Sequence, residues 1–433
     1  MTVEPDISLA RKLFDTLAEA TSDGVGITRD SYGAGEAFAH DLIASTARDL
    51  GLETRTDAAM NLYVTLAGED RSLPAVMTGS HLDSVPRGGN FDGAAGVIAG
   101  ISVLSAWLQA GKKPLRDTVV IAIRAEESAW FPVSYPGSKA IFGKLPAEAL
   151  ELKRFDRDVT LGEAIEAAGG NPRALASGTC LLDPRTVSRF IEVHIEQGPV
   201  LVGSNQPVGI VNGIRGSFRY RHARINGVYS HSGATPRAHR HDAVAAAAAF
   251  IERLNAHWSA FEENGADLAL TFGQLSTDGE QADFSKVPGR VDFSLDVRSA
   301  SAQTLEAFES VVLREVANVE QQTSTRFDLG PRTASTPAPM DAELISEMMD
   351  KAEALGIDAR VMPSGAGHDT ATFALQGIPS AMIFVRNHNG SHNPEEAMEM
   401  ADFAVATRLL GAAMDAEPPM FRDCQPMEKT SHA

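Results

Sequence analysis

The chain has 433 residues, and 38 Lys+Arg against 57 Asp+Glu leave a formal charge of −19. So acidic a chain lacks the basic field that nucleic acid or an anionic membrane requires. With 43% hydrophobic and 22% charged residues, it has the composition of a globular protein of two or three domains. Its two cysteines, Cys180 and Cys424, cannot frame the fold by disulfides and point to a reducing, cytoplasmic setting.

Residues 1–21 read as an amphipathic helix rather than a signal peptide, and nowhere is there the run of about 20 apolar residues that spans a membrane. Helical spacing recurs at 9–20 and 35–50, and residues 61–67 alternate like a strand. A short apolar strand at 75–79 enters the polar, Gly-rich loop SHLDSVPRGGNFDGAAG, which gives way to a small-residue helix at 95–110. Further buried strands are expected at 119–123 and 190–195. Strands alternating with helices predict an α/β domain with a mostly parallel sheet and helices on both faces, its ligands beyond the carboxyl ends of the strands.

Near Gly213 the pattern changes. Strands at 217–226, 268–275 and 290–299, with helices at 242–257 and 301–321, predict a two-layer α+β unit carrying a four-stranded antiparallel sheet. Residues 330–339, with three prolines, read as its exit linker. Helix, strand and helix at 344–355, 381–385 and 401–414 then resume the α/β style, and no structure is assigned to the polar tail from Pro418. The expected organisation is a discontinuous domain, 1–212 with 330–433, interrupted by an inserted unit at 213–329.

The unusual polar residues fall where strands should run into loops. His81-Leu82-Asp83 is followed by Asp92 in NFDG; imidazole and carboxylate together suit zinc or a similar first-row ion, with Asp83 placed to orient the imidazole. In isolation, such a loop reads rather as a polar cap of the following helix, with Asp92 as N-cap. Glu126-Glu127 closes the apolar run VVIAIRAEE, where one carboxylate can ligate a metal and its neighbour take a proton from water. His194 in EVHIEQGP lies at another strand end, and His368 in GAGHD and His392 in GSHNPEE sit in Gly-flanked turns. The Gly-rich stretch 88–100 has neither GxGxxG nor GxxxxGK[ST], and two acids lining the loop, Asp83 and Asp92, repel phosphate.

Taken in order, TGSHLDSVPRGGNFDGAAGVIAG, AEES, EVHIEQGP, HSGATP, GAGHDT and SHNPEE resemble the aminoacylase/carboxypeptidase superfamily of dinuclear zinc hydrolases. More narrowly they resemble its ureido-hydrolysing branch of N-carbamoyl-L-amino-acid hydrolases, allantoate amidohydrolases and β-ureidopropionases. The resemblance implies two divalent ions per subunit, zinc first, with manganese, cobalt or nickel sharing the ligand types. His81, Asp92 and His194 would hold one ion, Glu127 and His392 the other, with Asp92 bridging. It further implies Glu126 as general base, Asp83 as orienter of His81, and His231 as a donor to the partner's site across a homodimer formed by the inserted lid. Arg298 would grip the carboxylate of a small anionic substrate, with Gln197, His368 and Ser285 in the pocket. Read without the motifs, His231 is rather a turn-stabilising residue and Arg298 a strand-edge ion-pair partner. Trp130, Ser285, Arg386 and Asn387 depart from the branch pattern at positions facing substrate in relatives. An aminoacylase or dipeptidase, or a binding protein on the same fold, are the alternative functions; the intact Glu126 argues against the last.

Overall fold

The computed structural model describes residues 3–416; the tail from Pro418, with Cys424, lies outside the described residues. The chain forms two compact units, Met1–Asn212 with Met340–Met362 and His368–Ala433, and Gly213–Pro339 with Pro363–Gly367.

In the first unit the strands are β1 (Glu53–Thr56), β2 (Leu62–Leu66), β3 (Ala75–His81), β4 (Thr118–Ile123), β5 (Val187–Ile195), β6 (Val208–Ile214) and β7 (Ser380–Val385). They lie in the order β1-β2-β4-β3-β5-β7-β6. The central β4, β3, β5 and β7 are parallel, whereas β2 and β6 flank them antiparallel. The sheet is therefore mixed, with a parallel centre. β6 has no counterpart in the sequence reading, because its run VGIVNGI merges with the change of texture at Gly213.

Sheet residues alternate between two cores. Val120 and Ala122 join Ile191, Val193 and Ile383 on one face, while Val119, Ile121, Ile123 and Phe190 meet Ile141, Phe142 and Phe373 on the other. The first face is covered by α1 (Ile7–Thr21), α2 (Ala34–Asp49), α3 (Ala94–Gln109) and α4 (Met400–Met414). Helix α1 begins where the Asp6 carboxylate accepts the Leu9 N–H at 3.0 Å, and buries the stripe Ala10, Leu13, Phe14 and Leu17. Helix α3 is buried almost all round, and its small residues let it press onto the sheet.

Two register pairs position the site. His81 lies opposite Ile123, and His194 opposite Phe384, so the carboxyl ends of β3, β4, β5 and β7 are level. Loops leaving four parallel strands on one edge bring distant residues together.

The second unit layers helices Ala243–Glu263 and Ala302–Thr323 on an antiparallel sheet. That sheet has five strands, not four: Gly216–Asn226, Arg290–Ser299 and Ala269–Thr277 are joined by Arg326–Asp328 and Arg332–Ser335. The expected linker at 330–339 is thus partly strand, with Arg332 opposite Tyr220 and Ser335 opposite Ser217. Prolines mislead here because Pro331 and Pro337 flank the strand, where their missing N–H interrupts no ladder. Residues 330–339 and 363–367 accordingly belong to this unit rather than the first.

Close packing of α3 has a measurable consequence. A Cβ on Gly96 would stand 2.3 Å from the Val193 carbonyl oxygen and 2.7 Å from Ser80 Cβ. Gly96→Ala is expected to lower unfolding free energy by about 1–3 kcal/mol, measured by urea denaturation.

Candidate metal centre and active site

His81 is the last residue of β3, and its Nδ1 faces the Asp83 backbone oxygen at 3.1 Å and Oδ1 at 3.2 Å. A proton on Nδ1 leaves the Nε2 lone pair free, 3.6 Å from Asp92 Oδ1. His194, on β5, likewise gives Nδ1 to the Ile195 carbonyl at 2.9 Å and turns Nε2 to Asp92 Oδ1 at 3.1 Å. From the loop after β7, His392 Nε2 stands 3.4 Å from Asp92 Oδ2 and 3.2 Å from Glu127 Oε1. His81, Asp92 and His194 make one donor group, and Asp92, Glu127 and His392 another, with ligand atoms within 4.8 Å of one another. Asp92 is common to both, one oxygen facing each group. Imidazole nitrogens and carboxylate oxygens around a shared carboxylate fit divalent first-row cations. Glu126 belongs to neither group.

Electrostatics agree with a site built for cations. Burial pushes the Glu126 carboxyl well above its ordinary range, with Glu127, Asp369 and Asp83 adding repulsion against the pull of His81. Burial also raises Glu127. At Asp92 burial opposes ionisation, yet hydrogen bonds from His194, His392 and His81 hold it well below the usual carboxylate range. Its bonds to Asp92 and Glu127 push His392 up to about 11.

The buried Asp83 ties His81 to Glu126 and Glu127. Besides facing His81, its Oδ1 accepts the Glu126 N–H at 3.1 Å, and its Oδ2 accepts the Glu127 N–H at 3.1 Å and the Ser31 hydroxyl at 2.6 Å. Gln197, held at φ 62 by an N–H bond to Asn387 Oδ1, donates its amide to Asp92 Oδ2 at 2.9 Å. The His368 ring packs 4.4 Å from His194, and burial pushes its pKa well down. Glu192, His194 and His368 form a further buried donor group, although Glu192 already accepts from Ser80 and Thr370.

His231, Arg298 and Ser285 lie in the second unit. His231 Nδ1 accepts the N–H groups of Gly233 and Ala234, each at 3.1 Å, so the ring proton sits on the exposed Nε2. Arg298 pairs with Asp296 at 2.9 Å and donates Nη1 to the Gly365 carbonyl at 2.9 Å. Ser285 bonds back to Asp283 within its own turn.

Two departures read as facing substrate have other partners. Arg386 forks onto Asp402 at 2.8 and 3.0 Å and reaches Asn205, and Trp130 is buried with Nε1 on the Ser84 carbonyl at 2.8 Å. Long side chains after a strand end can turn back to the scaffold, a choice that motif spacing does not reveal.

Other residues escape the sequence reading. The Glu396 carboxylate accepts the Phe91 and Asp92 N–H groups at 2.9 and 3.2 Å and the Ser391 hydroxyl at 2.7 Å, joining the Asp92 and His392 loops. Arg29, fully buried, bonds Leu82 and Asn90 and is a cation among these acids. Glu396 stands within the motif SHNPEE, where adjacent glutamates look like solvated surface.

Fold and donor set together define an α/β protein with a candidate metal centre organised around one shared carboxylate. Residues 77–416 match the model described as peptidase family M20/M25/M40, and the chain belongs to that metal-dependent family. It is 35% identical to the N-carbamoyl-L-amino acid amidohydrolase of Geobacillus stearothermophilus over 387 residues, covering 89% of this chain and 92% of that protein. With the allantoate amidohydrolase of Escherichia coli K12 it shares 34% identity over 363 residues, covering 83% and 85% respectively. A hydantoinase/carbamoylase family amidase from Burkholderia ambifaria superposes with a TM-score of 0.82 at 28% identity, covering 95% of this chain and 96% of that one. These relatives are amidohydrolases named for non-peptide C–N bonds.

The loop after Asp92 offers a test of ligand geometry. Gly93 has φ 67, and a Cβ there would stand 2.5 Å from the His81 ring atoms. Gly93→Ala is expected to weaken divalent-ion binding about ten- to hundredfold while leaving the fold intact, measured by metal titration and circular dichroism.

Proposed function

We propose that this chain hydrolyses the linear C–N bond of an N-carbamoyl amino acid or a related ureido acid, with Glu126 as general base. One observation carries the reading: two imidazole–carboxylate donor groups share Asp92, while the adjacent Glu126 stays outside both. Divalent ions on His81, Asp92, His194, Glu127 and His392 supply carbonyl polarisation and bring the pKa of water down toward about 7. Two ions, zinc by preference, suit the count of donors, with manganese, cobalt and nickel accepting the same ligand types.

The chain's own residues do the rest. Glu126, its pKa raised by burial, accepts the proton of the attacking water. Oxygen adds to the carbamoyl carbon, and the tetrahedral oxyanion receives a hydrogen bond from a His231 supplied across the homodimer, whose Nε2 carries the proton. Such a donor is typically worth about 3 kcal/mol. As the C–N bond breaks, Glu126 returns its proton to the leaving nitrogen, and the carbamate formed from a carbamoyl group falls to CO2 and ammonia. Arg298 holds the substrate carboxylate, with Gln197, His368 and Ser285 in the pocket. The residues 213–329 serve as lid and homodimer interface, His231 entering the partner's site. Among the described residues no helix is long and apolar enough to cross a membrane, and the exposed free thiol of Cys180 suits the cytoplasm.

Glu126→Gln is expected to lower kcat by about 10²- to 10⁴-fold with metal content unchanged. On a panel of carbamoyl, acyl and dipeptide substrates, the wild-type protein should release ammonia from the carbamoyl compounds. Release of free amine from acyl or dipeptide substrates alone would replace this reading with an aminoacylase or dipeptidase.

A further inference from the structure

Glu126 projects from a backbone that would not hold itself in place. The preceding residue, Ala125, has φ 57, in the left-handed region that a residue with a side chain rarely adopts. It persists only if its surroundings over-determine it.

Glu36, on α2, is fully buried. Its Oε1 accepts the Ala125 N–H at 2.8 Å, while Oε2 accepts Arg124 Nη1 at 3.0 Å and the Tyr32 N–H at 2.6 Å. Arg124 is fixed at both ends: its backbone N–H donates to Asn61 Oδ1 at 2.9 Å, and its Nε to the Met60 carbonyl at 3.2 Å. The next two N–H groups, of Glu126 and Glu127, go to Asp83. Three successive peptide N–H groups after β4 are therefore held by two buried carboxylates from different parts of the chain. Asp83 grips the peptides of the two glutamates, and Glu36 grips the turn from which they emerge.

We propose that Glu36, through Arg124 and the Ala125 peptide, is a positioning residue that sets where the Glu126 carboxylate points. This rests on Glu126 being the base. A buried Glu–Arg pair unconnected to catalysis would stabilise the unit and nothing more. A pair that aims the base affects turnover through it, because a displacement of about 1 Å at a reacting group can cost on the order of a hundredfold in rate.

The experiment is a double-mutant cycle on the metal-loaded full-length protein, measured well below each variant's unfolding midpoint. Glu36→Gln, which cannot accept as an anion from both Arg124 and Ala125, should lower kcat about ten- to hundredfold with KM within about twofold and metal content unchanged. Glu36→Asp keeps the buried charge but falls short of holding both partners. It should fold even if the amide variant does not, and should lower kcat at least about fivefold, also at unchanged KM. Adding either substitution to Glu126→Gln should cost less than about twofold, because there is no base left to aim. The proposal is overturned if folded Glu36→Asp keeps kcat within about twofold, or if the loss persists undiminished on Glu126→Gln. Failure of the base assignment reads separately, as near-normal turnover by Glu126→Gln alone.

Discussion

The structure depends above all on one buried carboxylate, that of Asp83. One oxygen lies against His81 Nδ1 and accepts the Glu126 N–H, while the other accepts the Glu127 N–H and the Ser31 hydroxyl. A single side chain thus orients His81 on β3 and sets the path of the chain leaving β4, two strands that are neighbours in the sheet. Charge-assisted bonds of this kind are about twice as strong as neutral ones, and in a dry site they have no competition from water. His81, Glu126 and Glu127 cannot move independently.

The same economy explains the backbone of the site. Ala125, Gln197 and His392 all have positive φ, at 57, 62 and 62. Each lies at or beside a functional side chain, and each is pinned from outside: Ala125 by Glu36, Gln197 by Asn387, and the His392 loop by Ser391 bonding both Asp92 and Glu396. Left-handed residues cost about 1–2 kcal/mol each, which the parallel sheet and its α3 face offset elsewhere. The acidic sequence acquires local meaning here, since Asp83, Asp92, Glu126, Glu127 and Glu396 are buried together among imidazoles and the cation Arg29.

Much of this site is legible in the sequence because its residues stand at the ends of apolar runs or in the loops that leave them. Such runs are strands, and parallel strands deliver their ends to one edge. That pattern points to His81, His194, His392 and one of Glu126 and Glu127, the resemblance of the motifs singles out Asp92 and Glu127, and the structure brings His81, Asp92, Glu127, His194 and His392 together. Glu36, Glu396 and Arg29 are not legible, because a charge that binds backbone N–H or C=O groups carries no spacing rule and resembles solvated surface. Arg386 shows the converse: its position suggested a pocket, but Asp402 captures it. In the second unit the strand Arg332–Ser335 escapes detection because its four residues between prolines are all exposed and carry no alternation of burial.

Asp83→Asn is the sharpest probe of this organisation, because the amide keeps the shape and reverses the polarity of one arm. It must turn an N–H toward one of the peptide N–H groups that the carboxylate accepts. Titration of the metal-free variant with divalent ions should show affinity at the His81 group reduced about ten- to hundredfold, with loss of turnover in the reloaded protein. Wild-type affinity together with wild-type turnover in Asp83→Asn would contradict the central role given to that carboxylate.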